Sequence, residues 1–231
     1  MATHIDKIGF ELEGGWAGTA GISPFKDISL IQDGSINGQT LVGERIRAVH
    51  VGEAVSPPIP IADMTGDPPK AVWEVWLTSH WPDATPPDRT NNTCGFHIHL
   101  SLLTYLDYSL MTSRKALFLL RDAIKAEGEK AKLPKKHEFW ARMEGLNTFC
   151  NFFTDPAKQM SINSKRMSKD RYGFLNFSYG VHGTMEFRAL PTFRDAHVAV
   201  GFTEAYLAAV DKWLDENQPT EPLIRRESFR L

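Results

Sequence analysis

Apolar and polar residues alternate with period two in three separate parts of the chain. In 5–13, "IDKIGFELE", Phe10 and Leu12 point one way and Glu11 and Glu13 the other, which predicts a strand ended by Gly14-Gly15. In 94–102, "CGFHIHLSL", Phe96, Ile98 and Leu100 share one face, and His97 and His99 take the opposite one. In 183–190, "GTMEFRAL", Met185, Phe187 and Ala189 oppose Glu186 and Arg188. That segment is expected to pair with 171–178, "RYGFLNFS", through a short turn that includes Gly180 and Gly183. A further extended run lies in 45–58, "RIRAVHVGEAVSPP", and stops at its prolines.

Elsewhere the period becomes helical. Asp67-Pro68-Pro69 reads as a helix start with Asp67 as cap, followed by the stripe Val72, Trp73, Trp76 and Leu77. A loop is expected over 81–93. Leu117, Leu120, Ala123 and Ile124 form one later stripe; Phe139, Trp140, Met143, Leu146, Phe149, Cys150 and Phe153 form another, with Pro134 between them. A strongly apolar helix follows over 195–213 and is expected to pack on the sheet. Strands, helices, strands and a final helix describe an α+β fold with a mostly antiparallel sheet, not a βαβ alternation. The expected organisation is one domain over 1–218, with a helical middle at about 105–165 and a polar tail over 219–231.

Composition narrows the possible partners. The 231 residues are 42% hydrophobic and 23% charged, enough for one sizeable core. A net charge of −2 supplies no global basic field, so nucleic acid is not an expected partner and any phosphate recognition must be local. The two cysteines, Cys94 and Cys150, form no framework; they suit a reducing compartment and leave room for one disulfide at most. Asp6, Lys7, Glu11 and Glu13 interrupt any signal-peptide core, and no apolar run is long enough for a bilayer. The expectation is a soluble cytoplasmic protein without a membrane partner.

The three polar strand faces carry the candidate chemistry. For any single strand, a solvated face of an antiparallel sheet is sufficient explanation. Solvent faces also use Lys, Thr, Ser and Gln, however, whereas these positions hold three carboxylates, two imidazoles and a guanidinium. Two carboxylates two residues apart repel unless a cation lies between them. Carboxylate oxygens with one or two imidazoles suit Mg²⁺ or Mn²⁺, with two ions expected. Zinc on His97, His99 and one carboxylate competes with this, although there is no H-E-x-x-H motif and no cysteine cluster. Arg188 beside Glu186 suits bidentate phosphate recognition, and Arg171 at the start of the neighbouring strand is placed to reach the same anion. No P-loop or dinucleotide glycine fingerprint is present, so a nucleotide would have to lie over the sheet.

These residues resemble motifs of a known group of enzymes. "CGFHIHLS" resembles the G-x-H-x-H-x-S segment of glutamine synthetases, "GTMEFRAL" their E-x-R strand, and "GFELE" their first E-x-E strand. The size of the chain, Glu53 ahead of "SPP", and Arg171, Leu175 and Asn176 ahead of E-x-R resemble the amidoligase family of bacteria and phages. The resemblance runs in order over about 8–191. It implies a curved sheet of the glutamine synthetase catalytic-domain type with helices on one face, and an ATP-dependent carboxylate–amine ligase. It implies that Glu11, His97 and Glu186 hold one metal, and that Glu13 and Glu53, with Glu44 as a lesser candidate, hold the other. Arg188 and Arg171 would contact the transferred phosphate, and His99 would lie beside them or on the nucleotide. Asp33, and with it Asn176, is placed on the substrate side. The implied partners are small-molecule or peptide carboxylates and amines. The ammonia- and glutamate-binding elements of glutamine synthetase are not recognisable, which points away from glutamine synthesis itself.

Three other readings compete. One keeps the site and passes the γ-phosphoryl to a small molecule, as a kinase does. The second is a zinc-dependent hydrolase built on His97, His99 and Glu186. The third is a binding or structural domain with a solvated charged face.

Overall fold

The three alternating segments become the centre of one sheet. The computed structural model describes residues 4–17, 29–32, 49–83, 94–147, 150–151, 173–178, 182–193 and 195–219. Its strands are β1 (Ile5–Ala17), β2 (Ser29–Gln32), β3 (Val49–Val55), β4 (Ile59–Pro60), β5 (Met64–Thr65), β6 (Lys70–Ala71), β7 (Gly95–Leu102), β8 (Leu175–Ser178) and β9 (Thr184–Pro191). Its helices are α1 (Val72–Asp83), α2 (Tyr105–Met111), α3 (Arg114–Lys130), α4 (Glu138–Met143) and α5 (Ala196–Asn217). The main sheet is open, runs β2-β3-β1-β7-β9-β8, and carries β4 beside β1. Its strand pairs are antiparallel, so the fold is α+β as the element order predicts.

Register decides what each face buries. Phe10, Ile98, Phe187 and Leu175 lie opposite one another across four strands. Partners directly opposite share a face, so this row forms a continuous apolar floor. Helices cover it: Trp76 of α1 stacks on Phe10 at 5.8 Å, and Tyr206 of α5 stacks on Phe187 at 4.7 Å. Phe202 of α5 also touches Phe139 of α4 and Phe193. Each fully buried large apolar side chain contributes about 1.5–3 kcal/mol relative to exposure. The helices start where side chains satisfy their first N–H groups. Thr104 and Asp107 form a reciprocal capping box on α2, Ser113 caps α3, and Asp195 caps α5 by accepting from the His197 N–H.

Several boundaries differ from the sequence expectations. β1 does not end at Gly14-Gly15 but continues to Ala17, because Gly14 and Gly15 pair with Gly52 and Val51 of β3. Asp67 caps no helix. β5 and β6 pair across 66–69, Gly66 takes φ +82°, and α1 begins only at Val72, whose N–H reaches the Asp63 carbonyl. Helix α1 then runs into the segment expected as loop, to Asp83. Of the long aromatic stripe, Glu138–Met143 is helical, Gly145 turns to φ 69° and Leu146 is 77% exposed; Phe149 and Phe153 lie outside the described residues. Cys94 and Cys150 are both free and buried, and burial pushes the Cys150 thiol up to about 12. Among the described residues, no helix is long and apolar enough to cross a membrane. The polar tail beyond 219 lies outside the described residues.

Candidate metal centre

The register that builds the apolar floor also assembles the opposite face. Glu53 of β3 faces Glu13 of β1, and Glu11 faces His97 of β7. His99 faces Glu186 of β9, which in turn faces Asn176 of β8. Polar groups from five neighbouring strands therefore share one side of the sheet.

Their side chains converge. His97 Nδ1 lies 3.1 Å from Glu11 Oε2 and 3.3 Å from Glu186 Oε1, while its Nε2 lies 3.6 Å from Glu13 Oε2. Arg188 Nη1 donates to Glu186 Oε1 at 2.8 Å, and the Asn176 amide donates to Glu186 Oε2 at 3.1 Å. The Gly95 N–H donates to Glu13 Oε2 at 2.6 Å. His99 Nε2 lies in ion-pair contact, 3.0 Å from Glu11 Oε1, and this buried atom makes no well-formed hydrogen bond. Glu11, His99 and Glu186 each present one ligand atom within 4.8 Å of the others. His97 is only 1% exposed and packs beneath this triad, touching three carboxylates at once.

Local irregularity aims the groups. Ile98 pairs with Phe187 but Phe96 pairs with Leu190, so β9 holds one extra residue opposite His97. The resulting bulge, at Arg188 and Ala189, swings the guanidinium toward Glu13, 3.9 Å away. Arg142 of α4, itself 1% exposed, fastens this region by donating to the Cys94 carbonyl at 2.5 Å and the Leu190 carbonyl at 3.2 Å. Gly95 leaves the space that the His97 ring occupies: a Cβ there would meet His97 Nε2 at 2.5 Å and Glu13 Oε2 at 3.2 Å. Gly95→Ala is accordingly expected to displace His97 and Glu13 and to weaken divalent-ion binding by about tenfold or more, measured by isothermal titration with Mn²⁺. Unchanged affinity would mean that His97 and Glu13 do not shape the site.

Electrostatics follow from the crowding. Burial by itself would raise the Glu11 carboxyl, but the His97 and His99 imidazoles beside it outweigh burial and hold Glu11 well below the carboxylate range. Burial likewise opposes ionisation of Glu186, and Arg188, His99 and His97 overcome it, so its carboxyl is lowered too. Burial works against the charged form of His99, yet Glu11 and Glu186 raise its pKa above 6.5. The Glu11 contribution to stability is thus present above its unfolded pKa and lost as pH falls through its lowered one. The His99 contribution is present at low pH and lost as pH rises through its raised value. A metal ion bound at His99 must displace that proton. Mn²⁺ affinity is therefore expected to climb with pH through the raised His99 value, by up to about tenfold per pH unit. Titrations at several pH values check this, and affinity falling with pH would contradict it.

Of the residues singled out in the sequence, Glu11, Glu13, Glu53, His97, His99, Asn176, Glu186 and Arg188 lie on this face. The triad holds His99 where the motif resemblance implies His97. Asn176, expected on the substrate side, bonds Glu186. Arg171, Asp33 and Glu44 lie outside the described residues. Gly95 and Arg142 were not anticipated. Arg142 sits three residues from Phe139 on the apolar stripe of its helix, which is the signal that a buried guanidinium leaves in a sequence. Comparison with protein-family models, with curated proteins and with solved structures yields no match.

Proposed function

We propose that this chain is an ATP-dependent carboxylate–amine ligase that forms an amide bond through an acyl phosphate, on a sheet of the glutamine synthetase catalytic-domain type. The observation that carries the reading is the convergence of Glu11, His99 and Glu186 within 4.8 Å, with the Arg188 guanidinium paired to Glu186. The donor set is hard, and His99 Nε2, buried against Glu11 without a well-formed hydrogen bond, is the kind of atom that a cation completes. Glu11, His99 and Glu186 would hold one Mg²⁺ or Mn²⁺, with His97 packed beneath them, and Glu13 and Glu53 would hold a second. Such ions supply charge neutralisation on the triphosphate.

The chain's own residues position and exclude. Arg188, joined by Arg171, orients the γ-phosphate. His97 keeps Glu11, Glu13 and Glu186 in place, and Asn176 fixes the second oxygen of Glu186. A carboxylate oxygen of the substrate attacks the γ-phosphorus in line; the bond to the β-phosphate oxygen breaks and ADP leaves. The amine nitrogen then attacks the acyl carbon, the carbon–oxygen bond to phosphate breaks, and the nitrogen gives up a proton. The partners are small-molecule or peptide acids and amines, and the setting is a cytoplasm that supplies ATP.

The test is a screen for ADP release with Mg²⁺ or Mn²⁺ against pools of carboxylates and amines. Release that requires both an acid and an amine supports a ligase. A stable phosphorylated product formed without amine makes the chain a phosphotransferase instead, and absence of ATP binding by the folded protein removes both.

A further inference from the structure

Arg188 is placed unexpectedly for a phosphate receptor. Its guanidinium is turned into the cluster, 2.8 Å from Glu186 Oε1 and 3.9 Å from Glu13 Oε1. Both carboxylates are buried, at 2% and 3% exposure. Among the described residues, this face holds four carboxylates, Glu11, Glu13, Glu53 and Glu186, and one guanidinium. Even with His97 and His99 both protonated, carboxylates remain in excess. A phosphate approaching the cluster therefore meets net negative charge and an arginine already paired. A divalent ion approaching it meets carboxylates already engaged by an internal cation, whose displacement would leave a buried charge unpaired.

Each ligand removes the obstacle that the other meets. An ion that takes Glu186 frees the guanidinium from its closest partner, and a phosphate that takes the guanidinium releases the carboxylates. Resting on the metal reading above, we propose that Arg188 is a built-in counter-cation of the carboxylate cluster, so that a divalent ion and a phosphate-bearing anion bind this site cooperatively. The coupling is reciprocal by thermodynamic necessity: each ligand tightens the other by the same factor. The ligand class follows from the exchange. It is an anion with at least two oxygens for a guanidinium fork and further oxygens for the ion, which a terminal phosphate provides. The arrangement also discriminates against a bare metal ion and a bare anion, each of which leaves one buried charge without a partner.

Free Mn²⁺ is counted by electron paramagnetic resonance while it is titrated into the full chain, with and without inorganic phosphate, which chelates Mn²⁺ weakly. In the wild type, phosphate is expected to raise Mn²⁺ affinity by about tenfold. In Arg188→Met the internal competitor is gone. Mn²⁺ alone is then expected to bind several-fold tighter than in the wild type, with no further gain from phosphate. A purely structural arginine, or one that serves only as a phosphate contact, would not produce tighter binding of the bare ion. The proposal is overturned if phosphate leaves wild-type Mn²⁺ affinity unchanged, or if Arg188→Met binds Mn²⁺ more weakly. Should Arg188→Met fail to fold, the wild-type pair of titrations still decides, and Arg188→Lys is expected to keep the charge while losing most of the coupling. Saturable Mn²⁺ binding without linkage removes this inference alone; no Mn²⁺ binding under either condition removes the metal reading as well.

Discussion

Glu186→Ala is expected to lower acid- and amine-dependent ADP release by about a hundredfold or more. Glu186 stands where interactions from three strands meet. It faces His99 and Asn176 in register, lies 3.3 Å from His97, and pairs with Arg188 at 2.8 Å. Truncation deletes a ligand of the proposed ion and leaves the guanidinium partly unpaired in a buried setting. Arg188→Ala is expected to cost a similar factor by removing the contact to the transferred phosphate. Glu186→Gln separates charge from shape: it keeps the volume and one acceptor oxygen but cannot neutralise an ion, so it should be nearly as slow as alanine. Steady-state ADP release, read beside a circular dichroism spectrum that confirms folding, makes the comparison. Turnover unchanged in Glu186→Ala would detach this carboxylate from the chemistry.

Phe187→Ala is expected to destabilise the fold by about 3–5 kcal/mol. Phe187 is the residue between Glu186 and Arg188, and its ring points into the core from the back of the same strand. It is fully buried, packs edge-on against Phe174 at 5.1 Å, and stacks under Tyr206 at 4.7 Å. It also joins Ile98 and Leu175 in the apolar row that crosses the sheet. Neighbouring strands and α5 hold the vacated volume open, so the cavity cannot collapse cheaply. Urea unfolding monitored by fluorescence measures the loss. A cost below about 1 kcal/mol would show that the floor of the site repacks freely, which a site built on strand register could not tolerate.

These two residues, adjacent in the chain and opposite in role, show how much was legible before the fold was known. Period-two alternation is local, so Glu11, Glu13, His97, His99, Glu186 and Arg188 could be sorted from Phe10, Ile98 and Phe187 by counting alone. The α5 helix and the strand pair ahead of it were legible for the same reason. What a local pattern does not contain is which strands lie side by side. The pairings Glu11–His97 and His99–Glu186 join residues far apart in sequence, and they bring His99 as well as His97 to the carboxylate pair. The bulge at Arg188 and Ala189 is likewise a property of two strands in register. Asp67-Pro68-Pro69 misled because an acidic residue before proline marks helix starts and turns alike; the β5–β6 hairpin took it as a turn. Gly14-Gly15 misled because glycine ends many strands, yet here β3 pairs straight across it.

The central claim is that side chains from separate strands form one cation site on the sheet face. A crystal of the full chain soaked in Mn²⁺, with anomalous difference density collected near the manganese edge, tests it most directly. A peak is expected within bonding range of Glu11, His99 and Glu186. An ordered cluster with no peak, or manganese bound only at other carboxylates, would contradict it.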